Sequence, residues 1–178
     1  MNGVPVWDRF VRVAHWSLVL TVAGAWITQE GAGRIHEWLG YAALAVAAAR
    51  IGWGWAGSRY ARFSQFVRTP ALTLQYTASV AARAERRYVG HNPLGAVSIL
   101  LLLALVLLVC GTGWLYTTDA YWGVEWVEEL HEGLSNALLA CIALHVAGVV
   151  YASLRHRENL VAAMVHGRKR APEKDDVA

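Results

Sequence analysis

Charge is scarce in this chain of 178 residues: Asp, Glu, Lys and Arg make up 16% of it, while 56% is hydrophobic. A soluble domain carries about a quarter charged residues, so the balance argues against an ordinary water-soluble fold and makes the bilayer the expected solvent. Cysteine is scarce as well. Cys110 and Cys141 both fall in apolar stretches and nothing has the Cys-x-x-Cys-His spacing, so they read as buried free thiols. The net charge of +3 at pH 7 is too small to point to nucleic acid, and the placement of charges is more informative than their sum.

What the chain does have is four apolar runs, at roughly 13–28, 38–55, 94–116 and 133–154. Each is close to the ~20 residues a helix needs to cross the hydrocarbon core. Little chain remains for a soluble domain. The first run could also be a cleavable signal peptide, since Arg9 and Arg12 precede it and it holds Ala23, Gly24 and Ala25. It also carries His15, Trp16 and Trp26, which a discarded segment does not need. The expected fold is therefore an all-α, integral membrane four-helix bundle over residues 1–166. Residues 167–178, charged and without apolar periodicity, are expected to be a disordered cytoplasmic tail.

Basic residues gather before the first run (Arg9, Arg12), in the middle connection (seven arginines from Arg50 to Arg87) and after the fourth run (Arg155, Arg157, Arg168, Lys169, Arg170). The connection between runs three and four has Asp119, Glu125, Glu128 and Glu129 and no Lys or Arg. The positive-inside rule then places both termini and the middle connection in the cytoplasm, with helices 1 and 3 antiparallel to 2 and 4. Within that connection, Thr69-Pro70 reads as an N-cap and first helical residue of a short helix over 71–87, lying on the cytoplasmic face as a lipid or partner contact or as a plain connector.

Four of the seven histidines, His15, His36, His131 and His145, lie in or at the ends of the runs, and a polar ring in hydrocarbon requires a partner. His131 and His145 are fourteen residues apart, ~21 Å along a helix and about 40° short of four full turns, so they share one stripe at two depths. Counting from the periplasmic ends, Gln29 to His15 spans ~21 Å and Glu129 to His145 ~24 Å, which sets His15 level with His145. His36 opens the second helix as His131 opens the fourth, and these two share the other level. Two facing imidazoles fill both axial positions of a haem iron, and bundle interiors hold such cofactors. Zinc competes as a ligand reading, but no cysteine or carboxylate completes a tetrahedral set at either level. Arg50, fourteen residues after His36, lies at the depth of the cytoplasmic pair and suits a haem propionate. Arg12, one turn before His15, is a second propionate candidate or a snorkelling arginine. Gly24, Gly40 and Gly148 would admit a flat macrocycle or a neighbouring helix.

Together these residues resemble the bacterial di-haem cytochromes b, which include cytochrome b561 and the b-type subunits of nickel-iron hydrogenases. The resemblance runs through Val6-Trp7-Asp8-Arg9-Phe10-Val11-Arg12-Val13-Ala14-His15-Trp16, His36-Glu37-Trp38-Leu39-Gly40-Tyr41, Gly90-His91-Asn92-Pro93-Leu94-Gly95, His131-Glu132 and His145, and covers nearly the whole chain. It implies that His15 and His145 ligate one haem b on the cytoplasmic side and His36 and His131 another on the periplasmic side, with electrons exchanged with quinone. The fourteen-residue interval between His131 and His145 differs from the hydrogenase subunits and favours the smaller b561-like branch. His91 falls in the cytoplasmic connection and reads as structural, and His156 and His166 as surface residues.

With both axial positions of each iron filled by protein, outer-sphere electron transfer is expected rather than oxygen chemistry. The alternative is an oxidoreductase that takes electrons from a small molecule such as superoxide at the periplasmic face. A non-redox scaffold would tolerate loss of all four histidines. The expected surroundings are a bacterial inner membrane, its lipid, quinone and a periplasmic c-type cytochrome or other redox protein, with a homodimer left open and no nucleic acid. The acidic, aromatic stretch Asp119–Trp126 would dock a basic carrier, border a quinone pocket or anchor the helix at the interface.

Overall fold

The computed structural model describes residues 3–30 and 33–177. Among them are seven α-helices: α1 (Arg9–Ile27), α2 (Gly33–Ala56), α3 (Phe63–Phe66), α4 (Pro70–Ala81), α5 (Pro93–Tyr116), α6 (Glu125–Arg155) and α7 (Leu160–His166). A 3-10 turn at Arg59–Ala61 and two strands, β1 (Gly3–Pro5) and β2 (Arg168–Arg170), complete the regular structure. Each apolar run thus forms one long helix. Three of these, α1, α5 and α6, are long and apolar enough to cross a membrane. The fourth, α2, has the length at 24 residues but a more diluted composition, because Arg50 and a series of glycines and tryptophans interrupt its alanines.

The chain packs as two units, one of Met1–Arg12, Trp53–Leu100 and Ala143–Ala178 and the other of Val13–Gly52 and Leu101–Ile142. The first has a small core of Val6, Trp7, Val11, Ala61, Val89 and Ala163. Asp8 sets the start of α1: its Oδ1 accepts from the Val11 N–H at 2.8 Å, a side-chain cap, and its Oδ2 accepts from Trp53 Nε1 at 3.0 Å and Ser58 Oγ at 2.5 Å. Burial pushes the Asp8 carboxyl up, but those hydrogen bonds outweigh it and hold the group below its usual value.

Two expectations are corrected in this unit. The helix expected over 71–87 begins as read, with Thr69 accepting from the Leu72 N–H and Pro70 at the first position, but ends at Ala81. Arg83 takes a left-handed φ of 54°, and the N–H groups of Arg83 and Ala84 close onto the carbonyls of Val80 and Ser79, the paired bonds that terminate a helix. The stretch expected as a disordered tail is instead built into the fold. β2 pairs antiparallel with β1, Lys169 Nζ donates to the Tyr88 carbonyl at 3.0 Å, and Val177 bridges Tyr88. Arg87 explains why: buried at 5% exposure, it pairs with Glu158 at 2.7 Å and with Asp176. A buried guanidinium requires anionic partners, and the tail supplies one of them.

In the second unit small residues let helices meet. A Cβ at Gly24 would lie 3.1 Å from Leu39 Cδ1, and Cys110 Sγ sits 3.3 Å from the Gly40 carbonyl. Ala43 and Ala47 of α2 are buried, as are Leu103, Leu105 and Val106 of α5 and Val127 and Leu138 of α6. Nothing among the described residues comes within 4 Å of a Cβ added at Gly40, or at Gly148 in the first unit, so the contact at Gly40 runs through its backbone carbonyl. Leu20, Trp38, Leu144 and Leu154 are each more than 70% exposed. Large apolar side chains turned outward on long helices suit lipid rather than water.

Candidate functional site

His36 lies in the first turns of α2 and His131 in the second turn of α6, and their rings come together with centroids 6.1 Å apart at an interplanar angle of 75°. His36 Nδ1 is 2.9 Å from the Ala25 carbonyl oxygen. That carbonyl is in the last turn of α1, where backbone acceptors lack an intrahelical N–H, so the ring supplies a donor the helix end needs. His131 Nδ1 is 3.1 Å from the Val109 carbonyl and 3.1 Å from Thr112 Oγ1, both on α5. Gly113 makes this approach possible, since a Cβ there would stand 3.0 Å from His131 Cε1.

The tautomers follow from these partners. A carbonyl oxygen only accepts, so each Nδ1 is a protonated, donating nitrogen, and in a neutral imidazole of that tautomer Nε2 carries the lone pair. A metal-binding imidazole requires that state, with the second nitrogen donating to a carbonyl that fixes the ring. An imidazole nitrogen binds a transition metal at about 2.0–2.1 Å, so two rings on one ion have centres about 6 Å apart. The 6.1 Å centroid separation of His36 and His131 is of that order, and these are the two residues that would hold such an ion. Among the described residues no group of three or more His, Cys, Asp or Glu gathers at one point.

The other sequence-derived site residues are placed as follows. His15 is in the second unit on α1, edge-on to Trp16 with ring centroids 5.2 Å apart. His145 is in the first unit, on α6, with its Nδ1 3.2 Å from Ser98 Oγ of α5. Arg50, on α2, is a buried cation, only 6% exposed. Arg12 belongs to the first unit and donates from Nη1 to the Val165 carbonyl at 2.6 Å. His91 is held between Trp7 and Phe66, with ring centroids at 4.5 and 4.7 Å. That placement agrees with a structural role. His166 is exposed as expected, but His156 is half-buried, and burial pushes its imidazole below the usual value against the pull of Glu85.

Sequence reasoning passed over Ser98, Thr112 and Gly113. A signal was present: Ser98 and Thr112 are hydroxyl residues fourteen apart in an otherwise apolar helix, and that is the interval separating His131 from His145. In two antiparallel helices such intervals bring the pairs into register.

The acidic connection is ordered by its aromatics. Tyr116 stacks on Trp122 with centroids 5.8 Å apart, Tyr121 meets Trp126 edge-on at 5.9 Å, and the Tyr116 hydroxyl donates to Glu128 Oε2 at 3.1 Å. Trp122 and Trp126 stay largely exposed. Glu125, Glu128 and Glu129 open α6, where negative charge complements the helix N-terminus.

The family model described as prokaryotic cytochrome b561 matches residues 6–167. No curated protein and no solved structure matches the chain.

Proposed function

This chain belongs to the prokaryotic cytochrome b561 family, whose members are membrane proteins that transfer electrons through haem b, and on that basis we propose that it carries two haems at two membrane depths and passes electrons between a periplasmic or membrane donor and quinone. The observation that carries this reading is the His36–His131 pair, 6.1 Å apart with both Nδ1 atoms turned onto oxygen acceptors. His131 and His145 stand fourteen residues apart on the continuous helix α6, ~21 Å along its axis, which gives a second ligand level. His15 is the partner assigned to His145 at that level, through the sequence depth argument.

Haem b supplies a one-electron iron couple when bound. The four imidazoles would hold the two haem irons and would leave no open position for a substrate, so the chain's own task is to place and tune the centres. Arg50, buried on α2, supplies the cation that a propionate needs. Arg12 is the second propionate candidate, working alongside its bond to Val165. Gly40 and Gly148, whose open sides face no packed neighbour, leave room for a flat ring.

The topology proposed has four membrane-spanning helices, α1, α2, α5 and α6, as one domain over 1–166 in a bacterial inner membrane, with both termini cytoplasmic. The arginines in the first turn of α1 and between α2 and α5 support it, set against the acidic connection between α5 and α6. That connection favours a basic protein carrier, such as a c-type cytochrome, over an anionic small molecule such as superoxide. Pairing of two chains in the membrane is compatible with this arrangement.

The test is the visible spectrum of detergent-purified protein, oxidised and dithionite-reduced, with haem counted per chain and carbon monoxide added. Two low-spin b haems that ignore carbon monoxide are expected. A chain without haem would overturn the reading, and a carbon monoxide shift would expose an open axial position and return the oxidoreductase alternative.

A further inference from the structure

Ser98 and Thr112 of α5 have a role that the ligand set leaves unassigned. Thr112 Oγ1 lies 3.0 Å from the Leu108 carbonyl and 3.0 Å from the Val109 carbonyl, so its hydrogen is donated to its own helix and its lone pairs face His131. Thr112 is therefore an acceptor for the His131 Nδ1–H, alongside the Val109 carbonyl. At His145 the Ser98 hydroxyl stands 3.2 Å from Nδ1. The bland reading is that a serine or threonine in a membrane helix merely bonds back to its own turn. Thr112 does so, and with its hydrogen spent there it still meets the histidine.

We propose that Thr112 and Ser98 are positioning residues, each fixing the tautomer and ring orientation of one axial histidine, Thr112 for His131 and Ser98 for His145. This rests on the haem reading above. A ring whose Nδ1–H is taken by an acceptor is a stronger donor through Nε2. A stronger axial donor stabilises the oxidised iron, and such hydrogen bonds are among the levers by which a protein sets the potential of its haem. Removing the Thr112 oxygen leaves His131 with the Val109 carbonyl as its one remaining acceptor, so the ring is held less firmly and donates more weakly. The predicted consequence is local, confined to one haem per hydroxyl.

The experiment uses the full chain in lipid nanodiscs, comparing wild type with Thr112→Val, Thr112→Ala, Thr112→Ser and Ser98→Ala. Haem loss to an excess of apomyoglobin, the redox titration of each haem and the low-spin electron paramagnetic resonance signals are recorded. Loss of such a partner costs about 10- to 100-fold in metal affinity, so Thr112→Val and Thr112→Ala should each release one haem about tenfold faster or more. The same haem should titrate at a higher potential with an altered resonance. Thr112→Ser should return both properties toward wild type, and Ser98→Ala should alter the other haem. Wild type with two haems and Thr112→Val unchanged in all three readouts would overturn this inference alone, as would Thr112→Val and Ser98→Ala acting on the same haem. Wild type without haem would overturn the haem reading and this inference with it.

Discussion

Gly113 controls how close His131 can come to α5. With a Cβ 3.0 Å from His131 Cε1, the ring has to tilt away from the Val109 carbonyl or the helices have to part. Gly113→Ala is expected to weaken haem retention at the His36–His131 level while the second haem stays in place, read as haem per chain after gel filtration. Full occupancy at both levels would mean that the ring is held by something other than this notch. Ligand substitutions make a sharper prediction at the same scale. His36→Ala and His131→Ala should each remove the same haem and leave the other, and His15→Ala and His145→Ala should remove the remaining one. Spectra in which His36→Ala and His131→Ala deplete different haems would refute the pairing.

Local backbone geometry shapes the elements as much as apolar pattern does. Two residues beyond the ends of α4 and α6 stands an arginine with positive φ, Arg83 at 54° and Arg157 at 51°. After Arg157 the N–H groups of 157 and 158 return to the carbonyls of Leu154 and Ser153. A left-handed arginine costs about 1–2 kcal/mol, and here it turns the chain so that a buried carboxylate enters an ion pair: Glu85 beside the exposed Arg155 at 3.0 Å, Glu158 beside the buried Arg87 at 2.7 Å. Lys169 lies 3.5 Å from Glu158, and the Arg170 N–H donates to Glu158 at 2.7 Å, so β2 hangs on this carboxylate. Burial pushes Glu158 and Asp176 up, but these cations and N–H donors outweigh it and hold both carboxyls below their usual values.

Such depressed groups contribute stability in full above the unfolded carboxylate value of about 4, and that stability is lost as pH falls through the lower folded value. Protection of the amides across 168–177, taken relative to the intrinsic exchange rate at each pH, should therefore be high at neutral pH and fall below about pH 4. Glu158→Gln should show the same loosening at neutral pH and a destabilisation on the order of 3 kcal/mol, because Arg87 and Lys169 stay buried without their shared anion. A thermal scan in detergent checks it, and an unchanged midpoint would show that the tail is held by the β1–β2 ladder instead.

For the whole molecule, charge asymmetry is the main determinant. Arginines crowd the connection between α2 and α5, and carboxylates the one between α5 and α6. If the acidic end receives a basic carrier, attraction between exposed charges should dominate the encounter at low salt and fade once the Debye length falls to about 10 Å near 0.1 M. Replacing Glu125, Glu128 and Glu129 by Gln should slow haem reduction by a basic cytochrome at low ionic strength and make little difference in high salt. A rate indifferent to all three would leave the loop with helix anchoring alone.

The sequence by itself determined the helices that carry the site, because apolar runs near bilayer length have few other ways to satisfy their backbone. It also determined the four histidines, because a polar ring inside such a run is costly without a partner. The start of α4 was legible too, in Thr69-Pro70. The end of α4 was not, since a left-handed arginine carries no composition signal and its carbonyl is met by Arg155, distant in sequence. The order of the tail was hidden for a related reason: charged, aperiodic residues read as solvated until Arg87, distant in sequence, supplies the buried cation that binds them. At the candidate site, types and spacing were readable, but which nitrogen of His36 and His131 carries the proton depends on Ala25, Val109 and Thr112. Those acceptors reach the rings only when α1, α2, α5 and α6 pack, so tertiary structure alone decided which ring nitrogen donates to a neighbouring helix.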